Sequence, residues 1–154
     1  MDDLHCTCYR LRKAARQISQ IYDHHLAAFE LTANQLGIIA MVARNEPVAM
    51  GKLSTDLGMD ASTLTRNMRP LIERGIVELI EGRDRRQRQV RLTAAGWGRA
   101  KAALPAWQHA ERAVMLALGQ SELARLHALL SRLGAQAEDA GGYAASSAAG
   151  LSGS

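Results

Sequence analysis

The sequence predicts a mostly helical fold carrying one small β-hairpin, and three observations predict it. Hydrophobic residues make up 47% of the 154 residues but aromatics only 4%, a balance rich in Ala and Leu that favours helices, since sheets prefer β-branched and aromatic side chains. Apolar residues recur three and four apart near both ends of the chain, the spacing of amphipathic helices. Between them LIEGRDRRQRQVRLT, residues 79–93, sets two short apolar and β-branched runs on either side of a charged turn. A chain of this length fits one domain and buries a core without metal or disulfide staples.

Taken in order, the first segment aligns Leu4, Cys8, Leu11, Ala15, Ile18, Tyr22, His25 and Phe29 on the seam of a long helix, with Arg10, Arg12, Lys13 and Arg16 off it. Thr32 with Gln35 three positions on makes a capping box, so a second helix starts there. Glu46-Pro47 ends it, because proline disfavours helix in the residue before it and lacks an amide proton. Lys52 to Leu57 is a short helix, Gly58 can take the left-handed conformation that stops it, and Asp60 can cap the next. That next helix places Leu64, Met68, Leu71 and Ile72 on one side and Ser62, Arg66, Arg69 and Glu73 on the other. Pro70 cannot bond the Arg66 carbonyl, so a kink or local loosening is expected. Gly75 closes the helix, IVELIE and QVRLT are strands, and Thr93 caps a long helix reaching about Leu118 with a kink expected at Pro105. Ser121 and Glu122 open a last helix whose Leu123, Leu126, Leu130 and Leu133 recur at heptad spacing. From Asp139 the chain is poor in bulky residues and rich in Gly, Ala and Ser, which reads as a flexible tail over 139–154.

Charge then suggests a partner. The net charge is +4, carried almost entirely by arginine, the side chain best suited to bidentate phosphate and guanine contacts. Five arginines fall within the nine residues from Arg83 to Arg91, and like charges so close are easiest to rationalise if a polyanion neutralises them. Two short helices joined by a Gly-containing turn form a helix-turn-helix, and a basic hairpin directly after it makes a winged helix. The second helix has one apolar face and one small, polar, basic face, as a helix entering the major groove requires, while arginines of a wing suit the minor groove. Candidate DNA-binding residues are therefore Ser62, Thr63, Thr65, Arg66 and Arg69 on the helix and Arg83, Asp84, Arg85, Arg86 and Arg88 on the wing. Asp84 is the exception in sign, explained if it holds the Arg86 guanidinium in position.

Asp84, Arg86, Leu92, Thr93 and Gly96 in DRRQRQVRLTAAG, with LTANQ at 31–35 and the block LSTDLGMDASTLTRNMRPLIERGIV, resemble the MarR family of winged-helix transcription regulators. The resemblance covers residue 4 to about 137. It implies a homodimer joined through its N- and C-terminal helices, a palindromic double-stranded operator, and repression relieved by a small ligand or by thiol oxidation. The expected organisation is a winged-helix domain over 1–138, with a DNA-binding core at 31–96 and dimerisation helices at 1–30 and 97–138.

Signatures of catalysis are missing from the sequence: there is no Gly-rich phosphate loop, Gly-x-Ser-x-Gly, His-Glu-x-x-His or Cys-x-x-Cys, so neither an enzyme nor a cofactor is expected. No apolar run approaches a membrane span and the first residues lack the apolar core of a signal peptide, which predicts a cytoplasmic protein with no membrane partner. His5, Cys6 and Cys8 offer soft ligands, but His24 and His25 lie far along the same helix, so no metal site is expected. Cys6 and Cys8 are candidate redox-sensing thiols if they sit in the first turns of a helix starting near Leu4, beside Arg10, Arg12 and Lys13. The plainer alternative makes Cys8 a small buried hydrophobe and Cys6 an incidental surface thiol. Two other functions stay open at this point: a winged-helix protein-interaction module without DNA binding, and a cytoplasmic thiol- or metal-handling protein.

Overall fold

The structure is a computed structural model that describes the backbone of residues 6–82 and 88–149, with side chains to residue 136. The chain divides into two compact units, residues 1–111 and 112–154. In the first, helix α1 (Thr7–Leu26) leads through a single 3-10 turn (Ala27–Phe29) to α2 (Ala33–Asn45), strand β1 (Val48–Ala49), α3 (Met50–Asp56), α4 (Ala61–Glu73), and the hairpin of β2 (Val77–Glu81) and β3 (Arg88–Leu92). Helix α5 (Ala94–Leu118) begins in this unit, and α6 (Gln120–Ala149) lies in the second.

Local signals set most of these boundaries. Thr32 accepts the Gln35 amide at 3.2 Å and the Gln35 side chain accepts the Thr32 amide at 3.1 Å, completing the capping box of α2. Gly58 and Gly75 adopt φ of 59° and 63°, the left-handed conformation that ends α3 and α4. The three strands form one antiparallel sheet in the order β1-β3-β2, with Val48 opposite Val90 and Leu79 opposite the same Val90 from the other side. Strand β1 and its pairing are not evident from the sequence, where Pro47 marks only the end of a helix.

The core of this unit joins Leu26 of α1, Ile38, Ile39 and Val42 of α2, Leu53 of α3, Leu64, Met68 and Leu71 of α4, and Val77 and Val90 of the sheet, all buried. The seam expected on α1 is only partly realised: Tyr22, His25 and Phe29 are half-buried, Cys8, Leu11 and Ile18 are exposed, and the fully buried residue is Leu26. Helix α1 starts at Thr7, not near Leu4. Helices α4 and α5 run without a break through Pro70 and Pro105; Pro70 falls in the last turn of α4, and its carbonyl accepts the Arg74 amide at 3.1 Å. Helix α6 continues to Ala149 through much of the segment expected to be a tail, consistent with the high helix propensity of Ala140, Ala144, Ala145, Ala148 and Ala149.

Three elements meet at one point. The Ile76 carbonyl accepts the Thr93 amide at 3.1 Å, Thr93 Oγ1 donates to the Gly75 carbonyl at 2.5 Å, and the same oxygen accepts the Gly96 amide at 3.0 Å as the cap of α5. A Cβ at Gly96 would collide with the Ile76 carbonyl oxygen, so only glycine lets α5 pass this close to the start of the hairpin. Gly96→Ala is expected to lower stability by about 1–3 kcal/mol. Gly98→Ala, in the same helix with open space around it, should instead raise it by up to about 1 kcal/mol. Urea unfolding of the two variants checks both signs.

Candidate nucleic-acid interface

Helix α4 is aimed by the turn before it. Ser54 Oγ donates to the Met59 carbonyl at 2.5 Å and the Met59 amide to the Ser54 carbonyl at 3.0 Å, so the α3–α4 turn is closed from both directions. Asp60 then caps α4: its carboxylate accepts the Thr63 amide at 2.8 Å, the Ser62 hydroxyl at 2.6 Å and the Thr63 hydroxyl at 2.8 Å. The Ser62 hydroxyl, then the Thr63 amide and hydroxyl, hold the Asp60 carboxyl below the usual carboxylate range.

The helix sorts its side chains as its periodicity dictates. Leu64, Met68 and Leu71 are buried, while Ser62, Thr65, Arg66 and Arg69 are exposed along the opposite face. Thr63 differs from this group: it is half-buried, and its hydroxyl both donates to Asp60 and accepts from Arg66 Nη2 at 3.4 Å. Thr65 Oγ1 donates back to the Ala61 carbonyl at 2.7 Å. Arg69 Nε bonds Glu73 Oε1 at 2.7 Å, and that hydrogen bond with the adjacent charge raises the Arg69 pKa further.

On the hairpin, Arg88 is exposed opposite Glu81, and Arg91 pairs across the strands with Glu78 at 2.7 Å. Arg83, Asp84, Arg85 and Arg86 lie outside the described residues, as does His5. Two arginines that the sequence did not single out face inward to the backbone. Arg74 donates to the Glu30 carbonyl at 2.5 Å and to the Phe29 carbonyl at 3.3 Å, and Arg99 donates to the same Phe29 carbonyl at 3.1 Å. They clamp the turn where Glu30 holds φ of 53°, a left-handed conformation that is unfavourable for a residue with a side chain.

Cys6 is the N-cap residue of α1 and makes no side-chain cap bond, and Cys8 lies in the first turn; both are free and exposed. The expectation of a buried Cys8 is thus corrected: it is exposed, as are Leu11 and Ile18 on the same seam. Among the described residues no three His, Cys, Asp or Glu side chains come together to hold a metal ion. No single described helix is long and apolar enough to cross a membrane.

Two apolar grooves, of about 370 and 260 Å³, adjoin along α2 and share Leu36, Ala40 and Trp107. At the rim of the larger, Tyr22 Oη donates to Glu111 at 2.6 Å; burial, then this bond and the Glu111 charge, push the phenol pKa up.

Known proteins share this arrangement. The family model described as MarR family matches residues 29–87. The M. tuberculosis transcriptional regulator MosR, solved in complex with DNA, is 32% identical with a TM-score of 0.80 over 88% of this chain and 98% of its own. CouR, a transcriptional repressor solved on a 23-mer DNA duplex, is 21% identical with a TM-score of 0.78 over 87% of this chain and 96% of its own. Apo MarR of E. coli is 21% identical with a TM-score of 0.68 over 83% and 96%. At 21% identity these last two show the fold alone. In sequence, no curated protein matches the chain. The family model covers α2 to β2, and a 32%-identical relative is covered almost end to end: the chain belongs to the MarR family of winged-helix transcription regulators.

Proposed function

We propose that the protein is a homodimeric repressor that binds a palindromic operator in the cytoplasm, with α4 in the major groove and the wing at the minor groove, and that a small ligand or thiol oxidation releases it. The observation that carries this is α4 itself: an exposed face of Ser62, Thr65, Arg66 and Arg69 set back to back with a buried Leu64, Met68 and Leu71, immediately before a hairpin whose sequence concentrates arginine. MosR, the 32%-identical relative, was solved in complex with DNA, which supports the same partner here. Dimerisation is supported by the exposed leucines of α6, Leu126, Leu129, Leu130 and Leu133, which form a stripe that water solvates poorly.

Release has two candidate routes. The grooves along α2 are mainly apolar, with Ser19 and the Glu111-bonded Tyr22 as polar groups in the larger, which suits a small, mainly apolar ligand. Cys6 and Cys8 are free and exposed at the N-terminal end of α1, two residues apart and open to an oxidant. Oxidation there would form one S–S bond at the expense of two thiol protons, the electrons passing to the peroxide or disulfide oxidant.

Salt titration of operator binding tests the central claim. A dimer neutralising about six phosphates should give a slope of log K against log salt near −5, and a slope near zero would point to a protein-interaction module instead. Arg86→Ala should lose more affinity than Arg85→Ala or Arg88→Ala, which act mainly on phosphates. Mild oxidant should weaken operator binding reversibly, and the Cys6→Ser, Cys8→Ser double variant should respond less. An equal loss of affinity in that variant would leave the ligand grooves as the route of release.

A further inference from the structure

The hydroxyls on the exposed face of α4 have their protons already engaged. Ser62 gives its only hydroxyl proton to Asp60 at 2.6 Å, and Thr65 gives its own to the Ala61 carbonyl at 2.7 Å. What each offers to a partner is oxygen lone pairs. Phosphate oxygens, guanine O6 and N7, and thymine O4 are all acceptors, so none of them satisfies such an oxygen. The only hydrogen-bond donors that the major groove presents are the N6 amino group of adenine and the N4 amino group of cytosine.

Farther along the same face the polarity reverses. Arg66 and Arg69 carry donors alone, and Arg69 is tied to Glu73 through Nε, which leaves both of its Nη nitrogens for a bidentate acceptor such as guanine. Thr63 drops out of the set, since its hydroxyl is engaged both as donor and as acceptor.

We infer that α4 reads a polarised half-site: amino-bearing bases, adenine or cytosine, against Ser62 and Thr65, and guanine against the arginines. The inference rests on the proposed placement of α4 in the major groove and adds to it which bases that helix accepts. Asp60 is the positioning residue, because its carboxylate takes the Ser62 proton and so fixes that hydroxyl as an acceptor.

Affinity selection of the full-length protein on a randomised duplex library tests it. The wild type should enrich adenine or cytosine at the position whose preference disappears in Ser62→Ala, and guanine at the position lost in Arg66→Ala. At the Ser62 position, replacing adenine by purine, or cytosine by its analogue lacking the amino group, should weaken wild-type binding about five-fold and leave Ser62→Ala unchanged. Asp60→Gly stays tolerated at the N-cap but removes the oxygen that takes the Ser62 proton, so its preference should broaden to guanine or thymine; an unchanged preference would overturn the role given to Asp60. Guanine or thymine at the Ser62 position in wild type, or no loss on removing the amino group, would overturn the inference while leaving DNA binding intact. Failure to enrich any sequence, together with salt-independent retention of duplex, would overturn the DNA reading as well.

Discussion

The close passage of Gly96 across the Ile76 carbonyl is the constraint on which the arrangement of the winged core depends. The end of α4, the start of β2 and the start of α5 converge there, and Thr93 bonds to two of the three through one hydroxyl. A side chain at 96 would push α5 off this junction. The angle between α4 and the hairpin would then be set by weaker contacts. Glu46 supports the same region from the other side, accepting the Leu92 amide at 2.7 Å with one carboxylate oxygen and Trp97 Nε1 at 3.1 Å with the other. A Leu-Thr-x-x-Gly sequence is thus intelligible as a joint: the leucine fills the core, the threonine bonds and caps, the glycine gives clearance.

Arginine serves two separate purposes in this chain, and net charge alone does not distinguish them. Arg74 and Arg99 hold backbone carbonyls at the end of α1, and Arg91 stays with Glu78 on the sheet. Arg66 and Arg88 are exposed, and Arg69 is oriented by an exposed carboxylate that contributes little to stability. Asp60 and Glu73 place negative charge on a surface otherwise suited to a polyanion. Their effect there is to orient hydroxyls and a guanidinium, which neutral side chains would hold less firmly.

Much of this was legible in the sequence because it is encoded locally. The Thr32–Gln35 box, the glycines at 58 and 75, the Asp60 cap and the Thr93 cap each lie within a few residues of the partners they engage, so spacing alone reveals them. The two-residue β1 is too short to show alternation, and its existence depends on Val90 and Gln89 of a strand far along the chain. The clamp of Arg74 and Arg99 on Phe29 and Glu30 joins residues distant in sequence, where no periodicity points. Cys8 matched the apolar register of α1 yet is exposed, because register identifies a face without specifying what covers it. At the alanine-rich end of α6 two local signals oppose each other, since low bulk suggests a tail whereas the intrinsic preference of alanine is helical.

The two tryptophans of the chain give the protein separate optical probes. Trp107 lines both apolar grooves along α2, whereas Trp97 is bonded to Glu46 beside the sheet. Emission from an indole depends on the polarity and mobility of its surroundings, so a molecule entering either groove alters one fluorophore without touching the other. A disturbance carried along α5 to the hairpin reaches Trp97 in turn. With each ring silenced by phenylalanine, occupancy of the grooves and its arrival at the winged core become two signals that can be timed against each other in one polypeptide, with no label attached.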